Sequence, residues 1–299
     1  MNSKPGQIIV GVDLNDSSEF GKSRPLALSN FARALEGWLK SSVHLVFASG
    51  TNNAHSNEQP EQLEKLKSLT QNWNWTFSLR TGQPVSELLQ LGNDVNNPVE
   101  IYVLGVREIG IVKRLYLGSV TEELAKKSEK PLALLSSHAL VSWENKSEFP
   151  DDRKMLVATD LSDRSKTVEE FALSLAKRVG SSVTLLHNTW RTYKSMEDAA
   201  IQAGAVPLIF EETIKTIERQ SREALLEKVK YFQEQGVKCE PALDLEPNSV
   251  AESIVALQNK YSVVIAGSRT RNRIITAVWG SMLRDILAKT NRPVITVKC

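Results

Sequence analysis

The stretch "GSVTEELAKKSEKPLALL", residues 118–135, decides the fold because "GSMLRDILAKTNRPVITV", residues 280–297, repeats its plan. Each stretch begins with Gly-Ser, continues with apolar residues three and four positions apart, and passes through a proline into an apolar run. The first part of this pattern predicts an amphipathic helix and the last part a buried strand. The chain therefore carries two copies of one helix-strand unit.

The glycines and the proline around both stretches have the same spacing. In each copy, a glycine that ends an apolar run stands as far before Gly-Ser as the proline stands after it. These positions are Gly105, Gly118 and Pro131 in the first copy and Gly267, Gly280 and Pro293 in the second. Because both distances are the same in the two copies, the spacing indicates an internal duplication.

The upstream part of each copy also repeats. Apolar runs end at Asp13 and Asp160, and each is followed by a helical pattern, Ser-Ser-Val and another apolar run. Strands that alternate with helices predict a parallel sheet covered by helices on both faces. We therefore predict two tandem doubly wound α/β domains, residues 1–138 and 152–299, joined by a linker at 139–151.

Each domain is predicted to hold five strands. They cover residues 7–13, 42–48, 75–80, 99–105 and 131–136 in the first half and 154–160, 182–188, 238–244, 261–267 and 293–298 in the second. The second half is longer, mainly over residues 191–235, which we interpret as a loop followed by a long charged helix. That insertion either packs on the sheet or covers a cavity.

Composition excludes several classes of function. Lys and Arg total 37 against 35 Asp and Glu, so no broad basic field favours nucleic acid. The histidines and the two cysteines lack metal-ligand spacing, and no nucleophile elbow or Walker A loop is present, so we expect neither a metal site nor an enzyme. The N-terminal apolar run is too short for a signal peptide or membrane span, which predicts a cytoplasmic protein without membrane association.

The recurring aspartate, glycine and Gly-Ser predict a crevice in each half. Ligands of doubly wound sheets bind at the carboxyl ends of the strands, where Asp13 and Gly105 end two strands of the first half. Gly-Ser at a helix N-terminus offers backbone N–H groups to an anion, and a carboxylate accepts hydrogen bonds from ribose. The pattern therefore favours a nucleotide. The alternative is that the aspartates and Gly-Ser only cap helices.

Aspartate after the first strand, then Gly-x-x-Gly, nine residues and Gly-Ser resembles the universal stress protein family, over nearly the whole chain as a tandem pair. The resemblance implies a Rossmann-like sheet of order 3-2-1-4-5, similar to that of the adenine nucleotide alpha hydrolases. It also implies pairing of the halves through their last strands, as an intramolecular pseudo-dimer, and ATP with Mg²⁺ in members that keep every glycine.

Both halves depart from that glycine pattern. Glu108 and Thr270 stand where the second glycine belongs. A carboxylate would repel phosphate whereas threonine adds no charge, so we expect the second half to be the better ATP site. The binding residues that the resemblance implies are Asp160, Gly267, Thr270, Gly280, Ser281 and Met282 in the second half and Asp13, Gly105, Gly118, Ser119, Val120 and Thr121 in the first.

The resemblance implies a stress-response module that senses or buffers an adenine nucleotide. Loss of the second glycine in both halves favours an alternative, an interaction protein with decayed sites that binds a protein partner or an apolar molecule. A weak ATPase is the third interpretation. Association of two chains into a homodimer is left open.

Overall fold

The strands of the protein form one continuous sheet. The computed structural model describes residues 6–16, 19–50, 59–106, 118–149, 153–202, 210–268 and 281–299. The strands are β1 (Gln7–Gly11), β2 (Ser42–Ser49), β3 (Thr76–Thr81), β4 (Val99–Gly105), β5 (Leu132–Leu135), β6 (Lys154–Ala158), β7 (Ser182–Asn188), β8 (Cys239–Asp244), β9 (Val263–Ser268) and β10 (Val294–Lys298). Their order is β3-β2-β1-β4-β5-β10-β9-β6-β7-β8.

Each half of this sheet has the predicted order 3-2-1-4-5, and its strands are parallel. Runs of apolar and β-branched residues suit strands that are covered on both faces, and Ile8, Ile9 and Val10 are fully buried. The two halves join where β5 pairs with β10 antiparallel, with Ala133 opposite Ile295. The pseudo-dimer through the last strands is therefore confirmed.

Helices cover both faces of the sheet. They are α1 (Glu19–Leu39), α2 (Gln59–Thr70), α3 (Pro84–Gly92), α4 (Ser119–Lys127), α5 (Ser137–Val141), α6 (Ser165–Val179), α7 (Trp190–Gln202), α8 (Phe210–Glu234), α9 (Val250–Leu257) and α10 (Ser281–Lys289). One core lies between the sheet and α1, α2, α5, α6 and α8, and the other lies between the sheet and α3, α4, α9 and α10. Because one core lies on each face, the sheet is the middle of three layers. Each core includes residues of both halves.

Two local predictions are corrected. The first strand of each half ends earlier than predicted, at Gly11 rather than residue 13 and at Ala158 rather than residue 160, so Asp13 and Asp160 lie beyond the strands. The start of the insertion is the helix α7 rather than a loop, and α8 follows as the predicted long helix. Three apolar residues of α8, Leu225, Val229 and Phe232, are buried in the core, so this helix packs on the sheet.

The segment predicted as a linker packs against the first helix. Trp143 is buried, and its ring lies 5.0 Å from that of Phe31 in an edge-to-face arrangement. The Phe149 ring stacks on Trp38 at 3.9 Å, and the amide nitrogen of Asn30 donates a 2.8 Å hydrogen bond to the Trp143 carbonyl. Residues 150–152 lie outside the described residues, and the domain boundaries stay a prediction.

Replacing Trp143 by alanine should lower the free energy of unfolding by about 3–5 kcal/mol, because a buried indole leaves a cavity among aromatic neighbours. Val141→Ala on the preceding helix is the matched control, since Val141 is 56% exposed and should change stability by less than about 0.5 kcal/mol. Urea unfolding of both variants checks this. Equal stabilities would mean that the segment does not anchor the first half.

His44 should make stability depend on pH. Its Nδ1 lies 2.7 Å from Thr76 Oγ1 and its Nε2 3.0 Å from Ser78 Oγ, and burial, with Arg80 nearby, lowers its pKa from 6.5 to about 4. The neutral ring is therefore favoured in the folded state. Stability is full above pH 6.5 and falls as the pH drops towards 4, by about 2 kcal/mol after allowance for partial exposure.

His44→Gln keeps hydrogen-bonding capacity but cannot take up a proton. We therefore compare the unfolding free energies in urea at pH 7, 5.5 and 4. The value for the wild type minus the value for the variant should fall as the pH falls. A constant difference would contradict the lowered pKa.

Candidate functional site

A cavity of about 630 Å³ opens at the carboxyl ends of β1, β2 and β4 in the first half. Its wall includes every residue that the sequence predicted for this half. These are Asp13, Gly105, Gly118, Ser119, Val120 and Thr121. Parts of the chain that are distant in sequence therefore meet at one site.

Sheet topology explains why this cavity exists. The chain leaves β1 for β2 on one side, whereas β4 pairs with β1 on the other side. The connecting helices therefore pass over opposite faces and leave a crevice above the strand ends. Apolar side chains of Leu28, Leu88 and Leu104 line it beside the polar ones.

The first turn of α4 lies in the wall of this cavity. Gly118 is the N-cap with φ −50° and ψ 149°, and no side chain caps the helix there. The first intrahelical bond runs from Glu122 N to Gly118 O at 3.1 Å, so the amides of residues 119–121 precede the hydrogen-bond ladder. This end of the helix carries partial positive charge and suits an anion.

Asp13 lies in the cavity wall and is half-buried. One carboxylate oxygen, Oδ1, accepts a 3.0 Å hydrogen bond from Asn15 N, which shapes the turn after β1. A carboxylate accepts several hydrogen bonds, so Asp13 can hold this turn and also receive a hydroxyl of a ligand.

Arg24 and Asp16 also line the cavity, and neither was among the binding residues predicted from sequence. Arg24 NH1 lies 3.2 Å from Asp16 Oδ2, and the two side chains are 10% and 16% exposed. The helical pattern predicted from sequence began at Pro25, whereas α1 begins at Glu19 and so includes Arg24. An arginine directly before a proline in the first turns of a helix was the available signal.

The aspartate of the second half makes the same kind of turn bond as Asp13 and in addition accepts hydrogen bonds from two serine hydroxyls. Asp160 is exposed, and its Oδ1 accepts hydrogen bonds from Ser162 N at 3.1 Å, Ser162 Oγ at 2.5 Å and Ser165 Oγ. These bonds fix a turn in which Leu161 has φ 60°, a conformation that is uncommon for leucine. Asp160 thus holds the turn before α6 but does not cap that helix, whose N-cap is Arg164 without a side-chain hydrogen bond.

The other predicted residues of the second half fall partly outside the described residues. Thr270 and Gly280 lie there, as does the side chain of Ser281. Met282 is half-buried on α10 and packs against the core. A Cβ at Gly267 would lie 2.8 Å from Cys299 Sγ and 3.1 Å from Val168 Cγ2, so this glycine accommodates neighbouring side chains.

His187, at the end of β7, belongs to a buried network. Its Nδ1 lies 3.0 Å from Thr159 O and carries the proton, because a carbonyl only accepts, and burial lowers the ring's pKa. Thr159 Oγ1 donates to Glu169 at 2.6 Å, and Lys228 of α8 donates to the same carboxylate at 2.7 Å. The network ties the insertion to α6.

The described ranges contain neither a cluster of metal ligands nor a membrane-spanning helix. Within them, no group of three or more His, Cys, Asp or Glu could hold a metal ion. No helix in this part of the chain has both the length and the apolar character required to cross a membrane.

Known proteins similar to this chain include members of one family. Residues 153–298 match the family model described as the universal stress protein family. Stress response protein NhaX of Bacillus subtilis is 27% identical over 168 residues, covering 50% of this chain and 99% of that protein. Universal stress protein Rv2005c of Mycobacterium tuberculosis is 23% identical over 205 residues, covering 69% of this chain and 64% of that protein.

Similarity in structure extends over both halves. The crystal structure of a universal stress protein from Archaeoglobus fulgidus has a TM-score of 0.62 at 17% sequence identity and covers 98% of each chain. This likeness supports the tandem α/β fold.

Asp160→Ala should lower the free energy of unfolding by about 1–2 kcal/mol, because it removes three hydrogen bonds at the start of α6. Asp163→Ala is the matched control, since Asp163 is 91% exposed and its partner Lys166 is exposed too. Urea unfolding without any ligand compares the two. A loss below about 0.5 kcal/mol for Asp160→Ala would show that the turn does not need this carboxylate.

Proposed function

Because the chain belongs to the universal stress protein family, we propose that it is a stress-response binding module that takes up ATP with Mg²⁺ in its first-half cavity. The observation that carries this proposal is the cavity at the carboxyl ends of β1 and β4. An aspartate, a strand-end glycine and the N-terminus of α4, which has no side-chain cap, converge there.

The size and chemistry of the cavity fit a nucleotide. Its volume of about 630 Å³ lies within the range of small-molecule pockets, and apolar walls beside a few polar groups are typical of such sites. The amides at the start of α4 suit phosphate oxygens, and the Asp13 carboxylate suits a ribose hydroxyl. Mg²⁺ would arrive with the phosphates, since it commonly keeps several waters and takes few protein ligands.

We place the proposed site in the first half for two reasons. The six predicted residues of this half share one cavity wall, and Asp160 of the second half accepts two serine hydroxyl hydrogen bonds besides its turn bond. The expectation that the second half binds better rested on Glu108 and Thr270, which both lie outside the described residues. The preference for the second half therefore stays a prediction, and it is the alternative to the present proposal.

We propose binding rather than turnover as the activity. Coupling of ATP occupancy to a regulatory contact needs only that the bound and free forms differ in affinity for a partner. A weak ATPase would show as phosphate release that disappears with Asp13→Ala.

Gly118→Asp is expected to weaken ATP binding at least about 30-fold, because it adds a negative charge where the phosphates would lie. Aspartate is a good N-cap residue, so α4 should stay folded. Gly118→Ala is the control: an added Cβ meets no atom within 4 Å, and binding should change less than about threefold. Calorimetric titration of Mg-ATP into each protein, with a thermal melt, separates binding from folding.

Gly280→Asp locates the site. It should leave the titration unchanged when the first half binds and abolish it when the second half does. No binding by the wild type at millimolar ATP would overturn the proposal and favour the interaction protein with decayed sites.

A further inference from the structure

Arg24 and Asp16 form an ion pair within the wall of the first-half cavity. We propose that Arg24 is a ligand-binding residue that takes hold of a phosphate group of the nucleotide, exchanging the Asp16 carboxylate for phosphate oxygens. This inference rests on the proposed function and deepens it, because it assigns selectivity for charged phosphate to one side chain.

The stem of Arg24 crosses the end of β4 at Gly105. A Cβ at position 105 would lie 2.8 Å from Arg24 Cδ and 3.3 Å from Arg24 Cγ, so the missing side chain makes room for the arginine. A glycine at a strand end can also let bare backbone approach a phosphate. In the structure Gly105 admits a cation to the same strand end.

Positive charge therefore reaches the cavity wall from two elements, α1 and α4. The N-terminus of α4 contributes its partial charge, and Arg24 contributes a full charge that is largely shielded from solvent. A guanidinium carries five N–H donors in a planar fork that fits carboxylate and phosphate alike. A phosphate in the cavity can therefore compete with Asp16 for the same donors.

The second half has no equivalent arrangement in its described part. Gly267 faces Cys299 and Val168 rather than a charged side chain. Arg164 precedes the Ser-Ser pair at 181–182 by the same distance along the chain as Arg24 precedes the pair at 41–42, yet Arg164 is exposed. The buried arginine is thus a property of the first-half cavity.

Arg24→Met is the central test, with Arg33→Met as the matched control on the same helix. Arg33 pairs with Glu36 and its side chain is 46% exposed. Calorimetric titrations of ATP, adenosine and inorganic tripolyphosphate should show about 10- to 100-fold weaker binding of ATP and tripolyphosphate to Arg24→Met. Adenosine affinity should stay unchanged, and Arg33→Met should match the wild type.

Asp16→Asn tests the exchange of partners. It should tighten ATP binding several-fold in the wild-type background, because phosphate no longer competes with a carboxylate for Arg24. In the Arg24→Met background the same change should give a smaller gain, because only the repulsion between Asp16 and phosphate is removed there. This double variant removes both members of the ion pair, so it leaves neither charge without its partner and guards against misfolding of Arg24→Met alone.

Each outcome separates this inference from the proposed function. Wild-type ATP affinity in Arg24→Met, or an equal gain from Asp16→Asn in both backgrounds, would overturn the role of Arg24 and leave nucleotide binding intact. Arg24-dependent binding of tripolyphosphate without binding of ATP would support the arginine and refute the nucleotide. Binding of neither compound would overturn both.

Discussion

The antiparallel pairing of β5 with β10 is the constraint on which the rest of the structure depends. Each half would otherwise end its sheet at a strand with unpaired backbone groups, and Leu132, Ala133, Leu134 and Leu135 are all buried in the joined form. An apolar strand of this kind is an aggregation hazard when it is left at an edge. Pairing it with β10 satisfies both edges and makes each core continuous across the halves.

This pairing also sets the two copies beside each other in related positions. Glu122 and Arg284 hold the same place in the repeat relative to Gly118 and Gly280, and Arg284 NH2 lies 3.5 Å from Glu122 Oε1 across the junction. Duplicated positions with opposite charge thus meet where two like charges would repel. In a pair of identical subunits these two equivalent positions would carry the same residue, so this ion pair became possible only after the copies diverged within one chain.

The spacing of repeated motifs made most of the fold predictable. Ser-Ser-Val placed the second strands at 42–48 and 182–188, and the structure has Ser42–Ser49 and Ser182–Asn188. Helix α7 was interpreted as a loop although its sequence is as amphipathic as that of α6. Among its described side chains, Met196 is 39% exposed and Ile201 is 70% exposed, so this periodicity does not mark a helix that packs into the core.

The site residues were less predictable because one residue type serves several purposes. Gly105 and Gly267 hold the same place in the repeat, yet one admits an arginine stem and the other admits a thiol and a valine methyl. Likewise Asp13 lies in a cavity wall whereas Asp160 holds a turn. The sequence shows that the two copies have glycine at the same position of the repeat. It does not show which side chains contact that glycine, and these are Arg24 of α1 for Gly105 and Cys299 for Gly267. Duplication preserved the backbone plan that creates a crevice, and divergence of the side chains that reach it determines what each crevice can bind.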